Sequence, residues 1–103
     1  MIRAEFYESD GLMSGFSFSG HADYADIGSD VVCAAVSSAV QLTANLLEDF
    51  DFSPDVKVGN NIVKCCVSKG NSSSDKIIFA LKNQLEAILD EYPKTIKITT
   101  LEV

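Results

Sequence analysis

Ser29-Asp30-Val31-Val32-Cys33-Ala34-Ala35-Val36-Ser37 is the stretch on which the order of elements turns. Ser29 or Asp30 can cap a helix through a side-chain oxygen, and apolar residues follow at helical spacing. Val32, Val36, Ala39, Thr43, Leu46, Leu47 and Phe50 share one face, so a long helix is predicted from Ser29 or Asp30 to Glu48–Phe50. At 100° per residue, Cys33 sits roughly 90° from the centre of that face, on the border between core and polar surface. Ser37 is one turn on and slightly further round, with Gln41 and Glu48 beyond it. This reading puts Cys33 in the first turn, where the helix dipole and unpaired amides favour a thiolate.

Upstream of the helix the period is two. Ile2, Ala4 and Phe6 alternate with Arg3, Glu5 and Tyr7, as in a strand with one buried face. Asp10-Gly11 suits the positive φ of a tight hairpin, and Leu12 to Ser19 returns as a second strand. Gly15 within it implies a bulge or a close contact. From Ser19 to Ser29 the periodicity stops, giving a loop longer than most, of the kind that binds or covers ligands.

Downstream, Asp51-Phe52-Ser53-Pro54 breaks the helix. Asp55 to Val58, a Gly59-Asn60-Asn61 turn and Ile62 to Ser68 form a second hairpin. Val63, Cys65 and Val67 share one face, Ile62, Lys64 and Cys66 the other. Lys69 to Ser74 is a polar loop that supplies a cap. Ile77, Ile78, Leu81, Leu85, Ile88, Leu89 and Tyr92 then make the clearest helical stripe, ended by Pro93. Ile96 and Ile98 begin a last strand, where Leu101 and Val103 slip register as if at a bulge. The expected architecture is α+β: one domain over residues 1–103, order β-β-α-β-β-α-β, a five-stranded mixed sheet with two helices packed on it.

Composition narrows the class. At 103 residues the chain suffices for one core. Eight Lys+Arg against fifteen Asp+Glu give a net charge of −7, which argues against direct nucleic-acid binding and suits a basic partner or a need for solubility. The three cysteines form no framework spacing. The N-terminus carries no signal pattern, and no apolar run is expected to span a membrane. A reducing, cytoplasmic setting is expected.

His21 is the sole histidine and precedes Cys33 by twelve residues. An imidazole can take the proton of a thiol, and a thiolate is a strong nucleophile. His21 leads into the same helix and can fold back over its start, where first-turn amides could steady an oxyanion. A lone Cys and a lone His also occur with purely structural roles. Asp30 has two readings: it orients His21, or it caps the helix. Ser37, at i+4 from Cys33, can share a hydrogen bond or line the same cleft. A metal site is disfavoured, because His21 and Cys33 give two ligands and no Cys-x-x-Cys is present; no cofactor motif is found either.

Ser19-Gly20-His21-Ala22 together with Asp30-Val31-Val32-Cys33-Ala34-Ala35-Val36-Ser37 resembles the signature of the ribosomal-processing cysteine protease family, Prp. The likeness extends over the full length. It implies that His21 is the base and Cys33 the nucleophile, with Gly20, Asp30 and Ser37 supporting. It implies a homodimer that trims a short N-terminal extension from a large-subunit bacterial ribosomal protein precursor during ribosome assembly. The segment from Asp23 to Gly28 would close over the peptide. Two rivals stand beside it: a non-catalytic ribosome-associated binding module, which the fold and charge suit equally, and a redox or acyl-transfer thiol enzyme, which Cys33 alone does not exclude.

Overall fold

The order of elements follows from two hairpins, each trailed by a helix, and a closing strand. The computed structural model describes residues 1–20 and 27–103, with side chains of 27–30 excluded. Strands β1 (Ile2–Ser9) and β2 (Leu12–Ser19) are joined by Asp10-Gly11, both at positive φ, as the Asp-Gly pair predicts. Helix α1 spans Ile27–Asp49, followed by β3 (Asp55–Gly59), β4 (Ile62–Cys66), α2 (Ser72–Glu91) and β5 (Ile96–Glu102). The sheet order is β3-β4-β2-β1-β5. All neighbours are antiparallel except β1 and β5, which run parallel across the α2 crossover. The expected mixed sheet with two helices is therefore the observed one.

The pleat sorts residues as the alternation predicts. Ile2, Ala4 and Phe6 of β1 are buried, and Phe6 pairs across to Phe16, which pairs in turn to Cys65. The Phe6 and Phe16 rings each meet Phe18 edge-on. Helix α2 adds Ile78, Leu81, Leu85 and Ile88 to this core. Its start is fixed by Asn71, whose side chain accepts from the Ser73 and Ser74 amides, while Ser74 Oγ accepts from the Asn71 amide at 3.0 Å.

Several expectations need correction. Helix α1 begins at Ile27, so residues 27–29 are helical, not part of the loop. Its buried row is Val32, Val36, Val40, Thr43 and Leu47; Ala39 and Leu46 are half-buried, and Phe50 is 63% exposed, beyond the helix end. The i, i+4 row centred on Val40 faces the sheet, and the sequence spacing alone sets that face slightly too far round. The bulge expected in β5 is absent: Ile2 to Glu8 pair with Ile96 to Glu102 without a break. Leu101 and Val103 need no register slip, since their parity already puts them with Lys97 on the face away from the helices. The irregularity lies in β2 instead, where Tyr7 pairs with Gly15 but Glu8 with Met13, leaving Ser14 as the extra residue. Gly15 is also a close contact, because a Cβ there would lie 2.7 Å from Cys66 Sγ.

The stretch Val31–Asp49 is long and apolar enough to cross a membrane by length and composition, contrary to the sequence reading. In this fold Val32, Val36, Val40 and Leu47 of this stretch are buried in the core. Only 28% of it is buried, and Leu42 is 61% exposed.

Candidate active site

Strand order decides where the cleft lies. Beyond β2 the sheet continues into β4 and β3, and the helices leave this edge uncovered. All five residues of β3 are exposed, although Val56 and Val58 point to the helix side. The groove between this floor and the flank of α1 has a volume of about 660 Å³. Val63 from β4 and Phe18 from β2 complete the apolar floor, while Ser37, Gln41 and Asn45 give α1 a polar wall. This combination of apolar floor and hydrogen-bonding wall suits an extended peptide.

Cys33 lines the groove and is half-buried. Gly20 and Ser37 line it as well, so three of the five predicted site residues come together. Gly20 is held by geometry. Its φ is +85°, and a Cβ would lie 2.5 Å from the Met1 carbonyl oxygen, so only glycine fits. Its amide donates to the Asn61 carbonyl at 3.2 Å, tying the end of β2 to the β3–β4 turn at the mouth of the groove. The chain enters the His21 segment from this fixed point. His21 itself, and the part of the predicted covering segment from Asp23 to Asp26, lie outside the described residues.

Two details of the sequence reading change. Because α1 starts at Ile27, Asp30 falls within its first turn and is not the N-cap; its side chain lies outside the described set. For the same reason Cys33 is the seventh helical residue, in the second turn. The free amides of a helix belong to its first four residues, so the helix-start amides do not surround the thiol as expected. The groove floor has no counterpart in the sequence reading. Val56 and Val58 are legible as alternating strand residues, but nothing local says that β3 lies beside α1.

The other two thiols are placed as their strand parity predicts. Cys65 is fully buried in the core, and Cys66 is half-buried on the opposite face. Burial, together with the neighbouring Cys66 and Asp55, pushes the Cys65 thiol up to about 11. Burial also raises Cys66, although Lys64 pulls the other way. Lys64 lies on the Cys66 side, with its Nζ 5.1 Å from the centre of the Tyr7 ring. No group of three or more His, Cys, Asp or Glu suited to a metal ion occurs among the described residues. A limiting amount of iodoacetamide at neutral pH should label Cys33 first, then Cys66, with Cys65 last. Peptide mapping by mass spectrometry reads that order, and early labelling of Cys65 or Cys66 with parallel loss of activity would move the nucleophile.

The family model for cysteine protease Prp matches residues 1–97. This chain belongs to the Prp family. No curated protein matches it in sequence. Among solved structures, the Prp ribosomal processing protease of S. aureus in complex with a substrate peptide is similar at TM-score 0.86 and 22% identity, covering 98% of this chain and 100% of that one. The S. aureus Prp with a covalently linked product peptide gives TM-score 0.85 at 24% identity, with the same coverages. SMU.848 from Streptococcus mutans gives TM-score 0.80 at 22% identity, covering 100% of this chain and 96% of that one. At these identities the structural likenesses speak for the Prp fold; the family match makes the chain a member of a cysteine protease family.

Proposed function

We propose that this chain is an endopeptidase that removes the short N-terminal extension of a large-subunit bacterial ribosomal protein during ribosome assembly. The observation that carries the reading is the position of Cys33: of the three thiols, it alone lines the groove beside α1, whose apolar floor and polar wall suit a peptide. The Gly20-His21 and Asp30-x-x-Cys33-x-x-x-Ser37 pattern, in a chain of the Prp family, supports the roles that follow. His21 takes the Cys33 proton, and the thiolate attacks the scissile carbonyl carbon. The carbonyl π pair moves to oxygen, and Ser37, one turn along the groove wall, is a candidate donor to that oxyanion. As the tetrahedral species collapses, the C–N bond breaks and protonated His21 gives its proton to the leaving amine. Water, deprotonated by His21, then cleaves the thioester and returns Cys33. Asp30 is the candidate orienter of His21.

Incubation with the ribosomal protein precursor, followed by mass spectrometry, tests the assignment. Two fragments whose masses sum to the precursor plus one water are expected. An intact precursor after prolonged incubation with active-thiol enzyme would overturn the substrate.

The same reading makes the protein a cytoplasmic homodimer. Three free thiols suit a reducing compartment. The dimer is supported by the apolar surplus of α1 outside the Cys33 groove. A second furrow runs between the outer sides of α1 and α2, lined by Ala35, Leu42, Leu46, Ile77 and Ala80. A second copy seated there would cover Leu42, and Leu42→Glu should convert a dimer into monomer in sedimentation at micromolar concentration. A parent protein that sediments only as monomer would refute the dimer.

A further inference from the structure

The groove that holds Cys33 contains one charged side chain among the described residues, Glu48. Everything else described along it is apolar or neutral. Glu48 is exposed and sits in the last turn of α1, which carries no basic residue. The carbonyl end of the helix and the adjacent Asp49 make this a poor place for a second carboxylate. The lysine of β3 does not relieve it: Lys57 lies between Val56 and Val58 and leaves the opposite face, where its Nζ is 3.9 Å from Asp55 Oδ2. Among the described residues, a carboxylate with no basic side chain beside it at one end of an otherwise uncharged groove favours a cation on whatever fills the groove.

The spacing sets where that cation belongs. Glu48 is fifteen helical positions from Cys33, about 22 Å along the axis at 1.5 Å per residue. An extended peptide advances about 3.3 Å per residue, so about five to seven residues span the gap once the reach of a lysine side chain is allowed for. We propose that Glu48 is a specificity-determining residue that selects a Lys or Arg about five to seven residues from the bond that is cut. The proposal rests on Cys33 being the nucleophile. It gives the groove three functions along its length: chemistry at Cys33, apolar side-chain pockets over Val56 and Val63, and a charge filter at the far end.

The test uses synthetic peptides that cover the cleaved bond and about seven residues on each side. They are neutral except for one lysine walked through each position, with norleucine as the control. One position at the stated distance should raise kcat/KM by about three- to fivefold over norleucine, the size of an exposed ion pair. Glu48→Gln should bring that ratio to about one, and Glu48→Lys should transfer the preference to a peptide with glutamate there. A ratio that survives Glu48→Gln, or the absence of any lysine-preferring position, would overturn the proposal. Fluorescence anisotropy of the lysine and norleucine peptides on Cys33→Ala reads the same filter without turnover. Failure of the nucleophile assignment is therefore distinguishable, because it shows as cleavage by Cys33→Ala whatever the anisotropy ratio.

Discussion

Cys33→Ala is expected to leave a folded protein that no longer cuts its substrate, with kcat/KM down by more than about 10³-fold. The loss should be this large because the remaining groups cannot form the acyl-enzyme. His21 and Ser37 could at most position a water. The fold should survive, since Cys33 is half-buried beside the groove and truncation opens no closed cavity. A stability change of about 1 kcal/mol or less is expected. Cys33→Ser should be nearly as inactive, because a serine hydroxyl is far harder to deprotonate at neutral pH than a thiol. The measurement is single-turnover cleavage beside a urea unfolding curve. Cleavage by the Ala variant at the parent rate would require another nucleophile, and neither Cys65 nor Cys66 is placed to serve.

Phe16→Ala should have the largest effect on stability, a loss of about 3–5 kcal/mol. Phe16 is fully buried between Phe6 on β1 and Cys65 on β4, and its ring meets Phe18 with centroids 5.7 Å apart. It stands mid-sheet beneath the helices, so neighbours on adjacent strands cannot collapse into the void without disturbing the two ladders that β2 makes with β1 and β4. For a domain whose whole stability is of order 5–15 kcal/mol, this is a large share. The urea midpoint should fall steeply with an unchanged slope. A midpoint within error of the parent would mean that the Phe cluster is not the centre of the core. Activity at low temperature should also drop, because Phe18, which Phe16 supports, belongs to the groove floor.

The parts of this fold legible in the sequence are those set by local periodicity. The Asp10-Gly11 turn, the α2 stripe from Ile77 to Tyr92 and the opposite faces of Cys65 and Cys66 each depend on residues within a few positions of one another. Three features are not legible, each for a physical reason. The start of α1 is hidden because Ser29 and Asp30 have cap chemistry wherever they stand, and only backbone geometry says that the helix has already begun at Ile27. The sequence points to a bulge in β5 because Leu101 breaks the apolar parity, yet exposed apolar residues on a sheet face are common. The groove is invisible because Val56 and Val58 come to face the Cys33 flank of α1 only through the strand order β3-β4-β2-β1-β5. The site is legible to the extent that Gly20, Cys33 and Ser37 do line one groove, whereas the pairing of His21 with Cys33 stands on the sequence pattern and family membership.

The parallel pairing of β1 with β5 governs how such a chain comes to be folded. Ile2 pairs with Ile96, 94 positions away, and the ladder then runs to the end of both strands. Closing a loop of that size costs about 4 kcal/mol of chain entropy before the contacts it permits are made. Until β5 arrives, one edge of β1 has no partner, and Thr95 and Ile96 are missing from the core. A chain emerging from a ribosome would have both helices and four strands available yet lack its closing strand. Its first hairpin would present an open edge until β5 is made, and the thiol chemistry proposed for Cys33 would have to wait for that strand. Where this long-range closure limits folding, it sets when the sheet is complete.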